Sequence, residues 1–171
     1  FASTGGAVDG EQDVFPCDES HPTRPISPYG ITKLTVEKYL FFYKNEYGLR
    51  HTILRYANVY GPRQNPHGEA GVVAIFCSRL LAGEQPVING DGTQTRDYVY
   101  VDDVVNAMIA AATAPDLDNR VINVGSGVET SVRDLVRLVI EQTGASPEVL
   151  YNPRTHPGVS RMCANLALAK E

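Results

Sequence analysis

The sequence predicts an α/β fold, and three observations lead to that prediction. Short apolar runs alternate with longer segments in which apolar residues recur at helical spacing, as in sheets covered by helices. Glycine and proline stand between these segments, where turns are expected. The chain has 171 residues, of which 43% are hydrophobic, so it is long and apolar enough to bury a core.

The strands are predicted from short runs that are apolar or rich in β-branched and aromatic residues. The first run indicates the end of a buried strand whose beginning is absent, and a turn is predicted after the second, at 58–63. A loop rich in Pro, Asp and Glu is predicted at residues 9–27, connecting the first strand to a helix. The predicted strands are 1–3, 51–56, 86–88, 95–101, 121–124 and 149–151.

Four helices are predicted from apolar periodicity and from capping residues. The clearest begins with Ser27 as its cap and Pro28 in its first position, and Gly48 ends it. Leu34, Val36, Tyr39, Leu40 and Tyr43 give that helix an apolar stripe. The other three are predicted at 71–83, at 104–114 and between residues 131 and 144.

The first turn of the Pro28 helix carries a phenol and an amine on one face, because Tyr29 and Lys33 are four residues apart. An ammonium group in that position stabilises a phenolate, so the pair suits proton transfer. By itself the pattern is weak, since a tyrosine-rich helix can contain such a pair by chance. Tyrosine usually packs against a core and lysine usually points to water.

The Ser3-Thr4 pair and Arg96 can also be interpreted either as functional residues or as ordinary structural ones. Ser3 and Thr4 follow the first strand, at the position where open α/β sheets carry binding groups. The same residues with Gly5 and Gly6 could equally form an ordinary turn. Arg96, which precedes an apolar run, could clamp an anion or could be a solvated surface residue.

Composition excludes several classes of function. A net charge of −5 without a basic cluster argues against nucleic-acid binding and favours small-molecule partners. Cys17, Cys77 and Cys163 lack metal-binding spacing and pair into no disulfide framework, so no metal site is predicted. No apolar run approaches the roughly 20 residues of a membrane helix, and no signal peptide is evident, so the prediction is a cytoplasmic protein with no membrane contact.

The chain begins at Phe1 without an initiator methionine and contains no G-x-G-x-x-G turn after a strand. The first observation indicates a portion of a longer protein. The second means that the sequence contains no recognisable pyrophosphate-binding turn.

Five motifs, in order, resemble the extended short-chain dehydrogenase/reductase family and, within it, the nucleotide-sugar 4-epimerases. The resemblance spans nearly the whole chain. It implies a C-terminal portion of a Rossmann-like parallel sheet with a small α/β substrate-binding domain, and NAD as cofactor. The motifs are Phe1-Ala2-Ser3-Thr4-Gly5-Gly6, Ser27-Pro28-Tyr29-Gly30 with Lys33, Leu54 to Pro62, Gly90 to Val99, and Asn123-Val124-Gly125.

The resemblance assigns catalytic roles to three residues. Tyr29 resembles the acid/base that takes the proton from the sugar 4-hydroxyl while hydride passes to NAD. Lys33 resembles the lysine that holds the nicotinamide ribose and favours the phenolate. Thr4 resembles the residue that hydrogen-bonds the reacting hydroxyl, with Ser3 beside it on the cofactor side.

The remaining assignments concern ligand binding. Tyr56 resembles a residue near the nicotinamide, and Asn58 resembles a contact to the substrate phosphates. Val72 and Val73 lie in a stretch whose backbone meets the nucleotide. Arg96 resembles the diphosphate-binding arginine, a role that suits its bidentate geometry. His156 stands where the family usually has a phosphate- or ribose-binding arginine pattern and could substitute for it when protonated.

The resemblance also narrows the reaction. Nucleotide-sugar 4,6-dehydratases follow the catalytic threonine with Asp-Glu, whereas Gly5 and Gly6 follow Thr4 here. The expected reaction is therefore NAD-dependent C4 epimerisation of UDP-glucose and UDP-galactose or their N-acetyl forms. Alternatives are a dehydratase, decarboxylase or reductase of the same family, or a non-catalytic sugar-nucleotide-binding fragment. Cys163 aligns near a residue that controls room for the sugar 2-substituent, and a small side chain there would admit N-acetyl sugars.

The resemblance divides the chain into two parts. Residues 1–62 are expected to form the end of the dinucleotide-binding domain with the catalytic helix. Residues 63–171 are expected to be mainly the nucleotide-sugar-binding domain, with some segments returning to the Rossmann sheet. A UDP-sugar is the expected substrate, and a homodimer is expected because paired helices commonly form a bundle between subunits in this family.

Overall fold

A computed structural model describes residues 1–67, 71–153 and 158–171 and confirms the α/β prediction. The helices are α1 Gly5–Asp9, α2 Pro28–Tyr47, α3 Val72–Leu81, α4 Val101–Thr113 and α5 Val132–Thr143, with a 3-10 turn at Leu168–Lys170. The strands are β1 Ala2–Thr4, β2 Ile53–Tyr56, β3 Asn58–Tyr60, β4 Val87–Asn89, β5 Thr95–Tyr100, β6 Val121–Val124, β7 Glu129–Ser131 and β8 Leu150–Asn152.

The described strands form three small sheets. The first has the order β1-β2-β6 with all strands parallel, so a late strand of the chain returns to sit beside β2. The second has the order β3-β5-β7, in which β3 and β5 are parallel and β7 is antiparallel to β5. In the third, β4 and β8 are parallel. Division of the chain into two domains at residue 62 stays a prediction.

Helix α2 begins as the sequence predicts. Ser27 caps it by accepting a hydrogen bond from the Gly30 amide, and Gly48 ends it in the left-handed conformation with a φ of 68°. The predicted apolar stripe is wrong as a description of the inner face, because Tyr39 and Tyr43 are exposed and the buried residues of α2 are Gly30 and Glu37. The inward face of this helix is therefore partly polar.

Three elements differ from the sequence prediction. Residues 5–9 form helix α1, although they were expected to be a turn entering a loop. Residues 58–60 form β3, although a turn was expected there, because they pair with β5. Strand β7 was not predicted and exists because three residues pair with the start of β5. Short segments of this kind take their conformation from tertiary partners.

Two clusters of buried apolar side chains lie between these layers. One cluster joins the β1-β2-β6 and β3-β5-β7 sheets to α4 and contains Leu54, Val99, Val104, Ile122 and Val124. The other joins α3 and α5 to the β4-β8 pair and contains Phe76, Leu80, Ile88, Val132, Leu135, Val136 and Val139. None of the helices described in the structure combines the length and the apolar character needed to cross a bilayer.

Candidate active site

A cavity of about 560 Å³ opens where β1 and β2 end and β3 and α3 begin. The carboxyl ends of parallel strands meet there, as expected for a ligand site in an open α/β sheet. Its lining residues are Ser3, Thr4, Ala7, Tyr29, Tyr56, Ala57, Asn58, Val59, Tyr60, Gln64, Gly71, Val72, Val73, Tyr98 and Met162. Seven of the predicted site residues are therefore among the residues that surround one space.

Thr4 and Ser3 occupy the end of β1 but differ in where their hydroxyls go. Thr4 is the residue before α1, and its side chain makes no capping hydrogen bond to that helix. Ser3 is 3% exposed and donates its hydroxyl to Glu37 at 2.5 Å. Its predicted cofactor contact, which stays a prediction, would therefore have to come from the backbone.

Tyr29 and Lys33 lie on one face of α2, as their spacing predicts. The Lys33 ammonium is 5.7 Å from the centre of the Tyr29 ring and donates a hydrogen bond of 2.9 Å to the carbonyl of Ala2. Tyr29 is 57% exposed and lines the cavity. The pair thus reaches the same strand that ends at Thr4.

Gly30 allows the start of α2 to approach α1 closely. A Cβ at this position would meet the carbonyl oxygen of Ala7 at 2.1 Å, which no side chain could tolerate without a backbone shift. The glycine therefore contributes to holding Tyr29 near the end of β1.

The opposite wall is formed by β3 and β5, where Asn58 and Tyr98 are register partners. Burial raises the pKa of Tyr98 to about 12, although the nearby charge of Arg96 opposes the shift. Its hydroxyl is buried and has no hydrogen-bond partner in the part of the chain that the structure describes. Sequence reasoning did not identify Tyr98 as a site residue, and the structure places it in the lining of the cavity.

Arg96, predicted to bind the diphosphate, does not line the cavity in the described residues. It is half-buried on β5, two residues from Tyr98, and its Nη1 donates to the carbonyl of Thr95 at 2.7 Å. Burial lowers the pKa of the Arg96 guanidinium from its ordinary value. A Cβ at Gly158 would lie 3.8 Å from Arg96 Nη2, so the segment that resumes at residue 158 lies next to this side chain.

Val72 and Val73 begin α3 and line the cavity. Their predicted contact with the nucleotide stays a prediction. Gln64 lies beside them and donates its amide to the carbonyl of Val59 at 3.0 Å. The Oε1 atom of Gln64 is buried without a partner among the described residues. His156, the remaining predicted binding residue, lies outside the described residues.

Met162 and Cys163 face in different directions, as successive residues of an extended segment do. Met162 lines the cavity, and a Cβ on Gly6 would meet its Cε at 1.8 Å, so methionine packs directly on the glycine backbone. Cys163 is 5% exposed and lines a separate inner space of about 10 Å³ instead. The role predicted for Cys163 at the sugar 2-substituent stays a prediction, and Met162 is the neighbouring residue that lines the larger cavity.

A buried ionic network lies beneath the cavity floor. Arg55 donates to Glu37 through Nε at 3.1 Å and through Nη2 at 2.8 Å. Its Nη1 lies 3.6 Å from Asp9 Oδ1, and neither of these two atoms has a hydrogen-bond partner among the described residues. Burial acts to lower the pKa of Arg55, but the hydrogen bonds and charge of Glu37, with the charge of Asp9, raise it. The guanidinium therefore stays charged.

Asp9 also meets Cys17 and His21, and ligand atoms of the three residues lie within 4.8 Å of one another. The Cys17 thiol donates to Asp9 Oδ2 at 3.6 Å, and His21 Nε2 accepts the Asp13 amide at 3.1 Å. Burial and the Asp9 charge raise the pKa of Cys17 to about 12, which opposes the thiolate that a metal requires. The group is adequately described by its hydrogen bonds, and the absence of a metal site stays a prediction.

Comparison with known proteins adds family membership to this geometry. The family model "NAD dependent epimerase/dehydratase family" matches residues 1–125. UDP-glucose 4-epimerase of Mycolicibacterium smegmatis is 49% identical over 151 residues, which are 88% of this chain and 48% of the relative.

Two solved structures resemble the whole described fold. UDP-glucose 4-epimerase of Thermotoga maritima, solved with UDP-glucose, has a TM-score of 0.95 at 52% identity. The match covers 99% of this chain and 55% of the Thermotoga chain. UDP-glucose 4-epimerase of Thermus thermophilus, solved with NAD, has a TM-score of 0.87 at 42% identity. The match covers 96% of this chain and 54% of the Thermus chain.

The present chain spans about half the length of the relatives that it matches. The matched family is the one whose motifs the sequence resembles. The chain belongs to the NAD-dependent epimerase/dehydratase family.

Proposed function

We propose that the protein interconverts the C4 epimers of a nucleotide sugar, with UDP-glucose and UDP-galactose as substrates. The observation that carries the proposal is the cavity itself. Tyr29 and Thr4 line it, Lys33 stands beside Tyr29, and no carboxylate is among its described lining residues. A 4,6-elimination needs an acid and a base next to the sugar, so this composition favours epimerisation.

The described residues fit the nicotinamide end of NAD. Lys33 has three N–H donors, of which one goes to the Ala2 carbonyl, so two remain for ribose hydroxyls. Tyr29 and Tyr56 offer aromatic surface beside the small side chains of Ala7 and Ala57. NAD, when bound, would supply the hydride acceptor and donor that oxidation and reduction at C4 require.

The proton steps belong to the protein. Tyr29 accepts the proton of the sugar 4-hydroxyl and returns it. The Lys33 ammonium lies 5.7 Å from the centre of the Tyr29 ring. The Thr4 hydroxyl, which does not cap α1, hydrogen-bonds the reacting oxygen and orients it towards Tyr29. The resulting 4-keto sugar must turn within the cavity before it is reduced on its other face.

The β3, β5 and α3 side of the cavity would hold the nucleotide. Asn58 and the backbone of Val72 and Val73 face this space, where an amide donor and helix-terminal N–H groups suit phosphate or base oxygens. Arg96 would reach the diphosphate from the adjoining segment of β5. His156 keeps its proposed role as a second phosphate or ribose contact.

The test is an assay of the full-length protein with UDP-galactose and NAD. The expected result is conversion to UDP-glucose, which is detected by chromatography of the products. A different product from a UDP-sugar, such as a 6-deoxy-4-keto sugar or a decarboxylated sugar, would assign a different reaction of the family. Tight UDP binding without turnover would support the non-catalytic binding module instead.

Met162→Ala is expected to change substrate choice. Shortening this side chain next to Gly6 enlarges the cavity where it borders the end of β1, so a bulkier 2-acetamido group gains room. The ratio of kcat/KM for UDP-N-acetylglucosamine to that for UDP-glucose should rise about 10-fold, in line with the effect of one or two pocket methylenes.

The chain offers a matched control for that experiment, since its second methionine, Met108, is 49% exposed on α4. Met108→Ala should leave the kcat/KM ratio unchanged. An equal ratio in wild type and Met162→Ala would show that Met162 does not border the sugar.

We also propose that the protein is a cytoplasmic homodimer. The outer surface of α2 exposes a cluster of aromatic rings formed by Phe42, Tyr43 and Tyr47, with centroids 5.4 to 6.2 Å apart. A contiguous apolar patch on a helix usually marks an interface. Sedimentation equilibrium of the full-length protein should give twice the monomer mass, and a monomer at micromolar concentration would contradict the proposal.

A further inference from the structure

The residues of the buried network beneath the cavity are close neighbours of the proposed site residues on β1, β2 and α2. Ser3 precedes Thr4 on β1, and Arg55 precedes Tyr56 on β2. Glu37 lies one helical turn after Lys33, on the same face of α2. Each member of the network is therefore a neighbour of a residue that borders or reaches the cavity.

Glu37 is the centre of this network. Its carboxylate accepts one hydrogen bond from Ser3 and two from Arg55, at 2.5, 3.1 and 2.8 Å. The side chains of Glu37 and Arg55 are each 6% exposed. Three separate elements, α2, β1 and β2, are thus tied to one another through a single carboxylate that water hardly reaches.

Stability alone does not account for an ion pair in this position. Removing two charges from water costs free energy that their attraction seldom exceeds, and apolar residues of similar volume often serve a core as well or better. Hydrogen bonds, in contrast to apolar contacts, fix distance and direction. What the network supplies is therefore a defined placement of α2 against two strand ends.

We propose that Glu37 is a positioning residue that sets the location of Tyr29 relative to Thr4 by fixing α2 against β1 and β2 through Ser3 and Arg55. The inference rests on the proposed function, in which Tyr29 and Thr4 act on the same hydroxyl. Proton transfer requires heavy atoms within hydrogen-bond reach, and displacement by about 1 Å can cost a factor of about 100 in rate.

Glu37→Asp is the decisive variant because it keeps the charge and removes one methylene. The carboxylate can then meet Arg55 and Ser3 only if α2 moves inwards. A crystal structure of the full-length variant should show a change of more than about 0.5 Å in the distance from Tyr29 Oη to Thr4 Oγ1. An unchanged distance would overturn the proposal, whether or not the protein turns over UDP-galactose.

Kinetics give a second and independent readout. In Glu37→Asp, kcat should fall about 10- to 100-fold while KM for the UDP-sugar changes less than about 3-fold. Adding Thr4→Ala should lower kcat by a smaller factor in this variant than in wild type. The reason is that a Thr4 hydroxyl already displaced from Tyr29 contributes less to the rate. Losses that simply multiply would show that Glu37 acts independently of Thr4 and would overturn the proposal.

Two controls separate positioning from loss of stability. Val136→Ala removes apolar volume from the other core, between α3 and α5, and should lower the melting temperature without changing kcat. Ser3→Ala deletes one hydrogen bond to Glu37 and should lower kcat in the same direction by a smaller factor, even if Glu37→Asp fails to fold. A wild-type kcat in a folded Ser3→Ala protein would count against the network. Absence of turnover in the wild type would contradict the proposed function and leave the structural readout to decide the positioning role.

Discussion

Replacing Tyr29 with phenylalanine is expected to lower kcat for UDP-galactose by about 10²- to 10⁴-fold, the usual contribution of a positioned acid or base. KM should change little, because the ring remains and the deleted oxygen serves the transition state more than binding. The tyrosine is 57% exposed, so loss of its hydroxyl should change the free energy of unfolding by less than about 0.5 kcal/mol. Initial rates at several substrate concentrations provide both constants.

The same helix supplies a control of identical chemistry. Tyr39 is 59% exposed and lies ten residues further along α2, away from the cavity lining. Tyr39→Phe should retain wild-type kcat. If Tyr29→Phe retained it as well, the residue would not be the proton carrier, and the assignment carried by the resemblance would have to be abandoned.

Helix α2 could be predicted from local rules. A capping serine, a proline at the first position and a terminal glycine depend on neighbouring residues, and the spacing of four between Tyr29 and Lys33 fixes a shared face. Thr4 could be predicted as a site residue because the carboxyl ends of the strands meet at one edge of a parallel sheet. In these cases sequence separation and spatial relation are linked by regular geometry.

The features that sequence reasoning missed depend on distant partners. Glu37 meets Arg55, which is 18 residues away, and an isolated glutamate in an apolar stripe looks like a surface residue. Its spacing of four from Lys33 was the available signal that it shares the inward face. Met162 packs on Gly6, which is 156 residues earlier in the chain, and no local pattern in the sequence indicates this contact.

The largest effect on stability is expected from Arg55→Met. This change leaves Glu37 without its charged partner, and Asp9 loses the guanidinium that lies 3.6 Å away. Removing one member of a buried ion pair typically costs about 3–5 kcal/mol, a large part of the roughly 5–15 kcal/mol that stabilises a domain. Urea unfolding at pH 7, followed by circular dichroism, measures the difference in the free energy of unfolding.

The matched control is Arg137→Met. Arg137 pairs with Asp134 and Glu141 on the surface, and its side chain is 63% exposed. The expected loss in the free energy of unfolding is below about 1 kcal/mol.

The loss in Arg55→Met should also depend on pH, with a sign that follows from Asp9. Burial raises the pKa of Asp9 above 3.8, while hydrogen bonding from Gln12 and the charge of Arg55 oppose the shift. Without Arg55 the pKa rises further, so the folded variant binds a proton more readily than the unfolded chain. Between the unfolded and folded pKa values, stability then falls as pH rises, and lowering the pH from 7 towards 5 should recover part of the loss. A loss that is constant over this range would show that the protonation of Asp9 does not depend on the charge of Arg55.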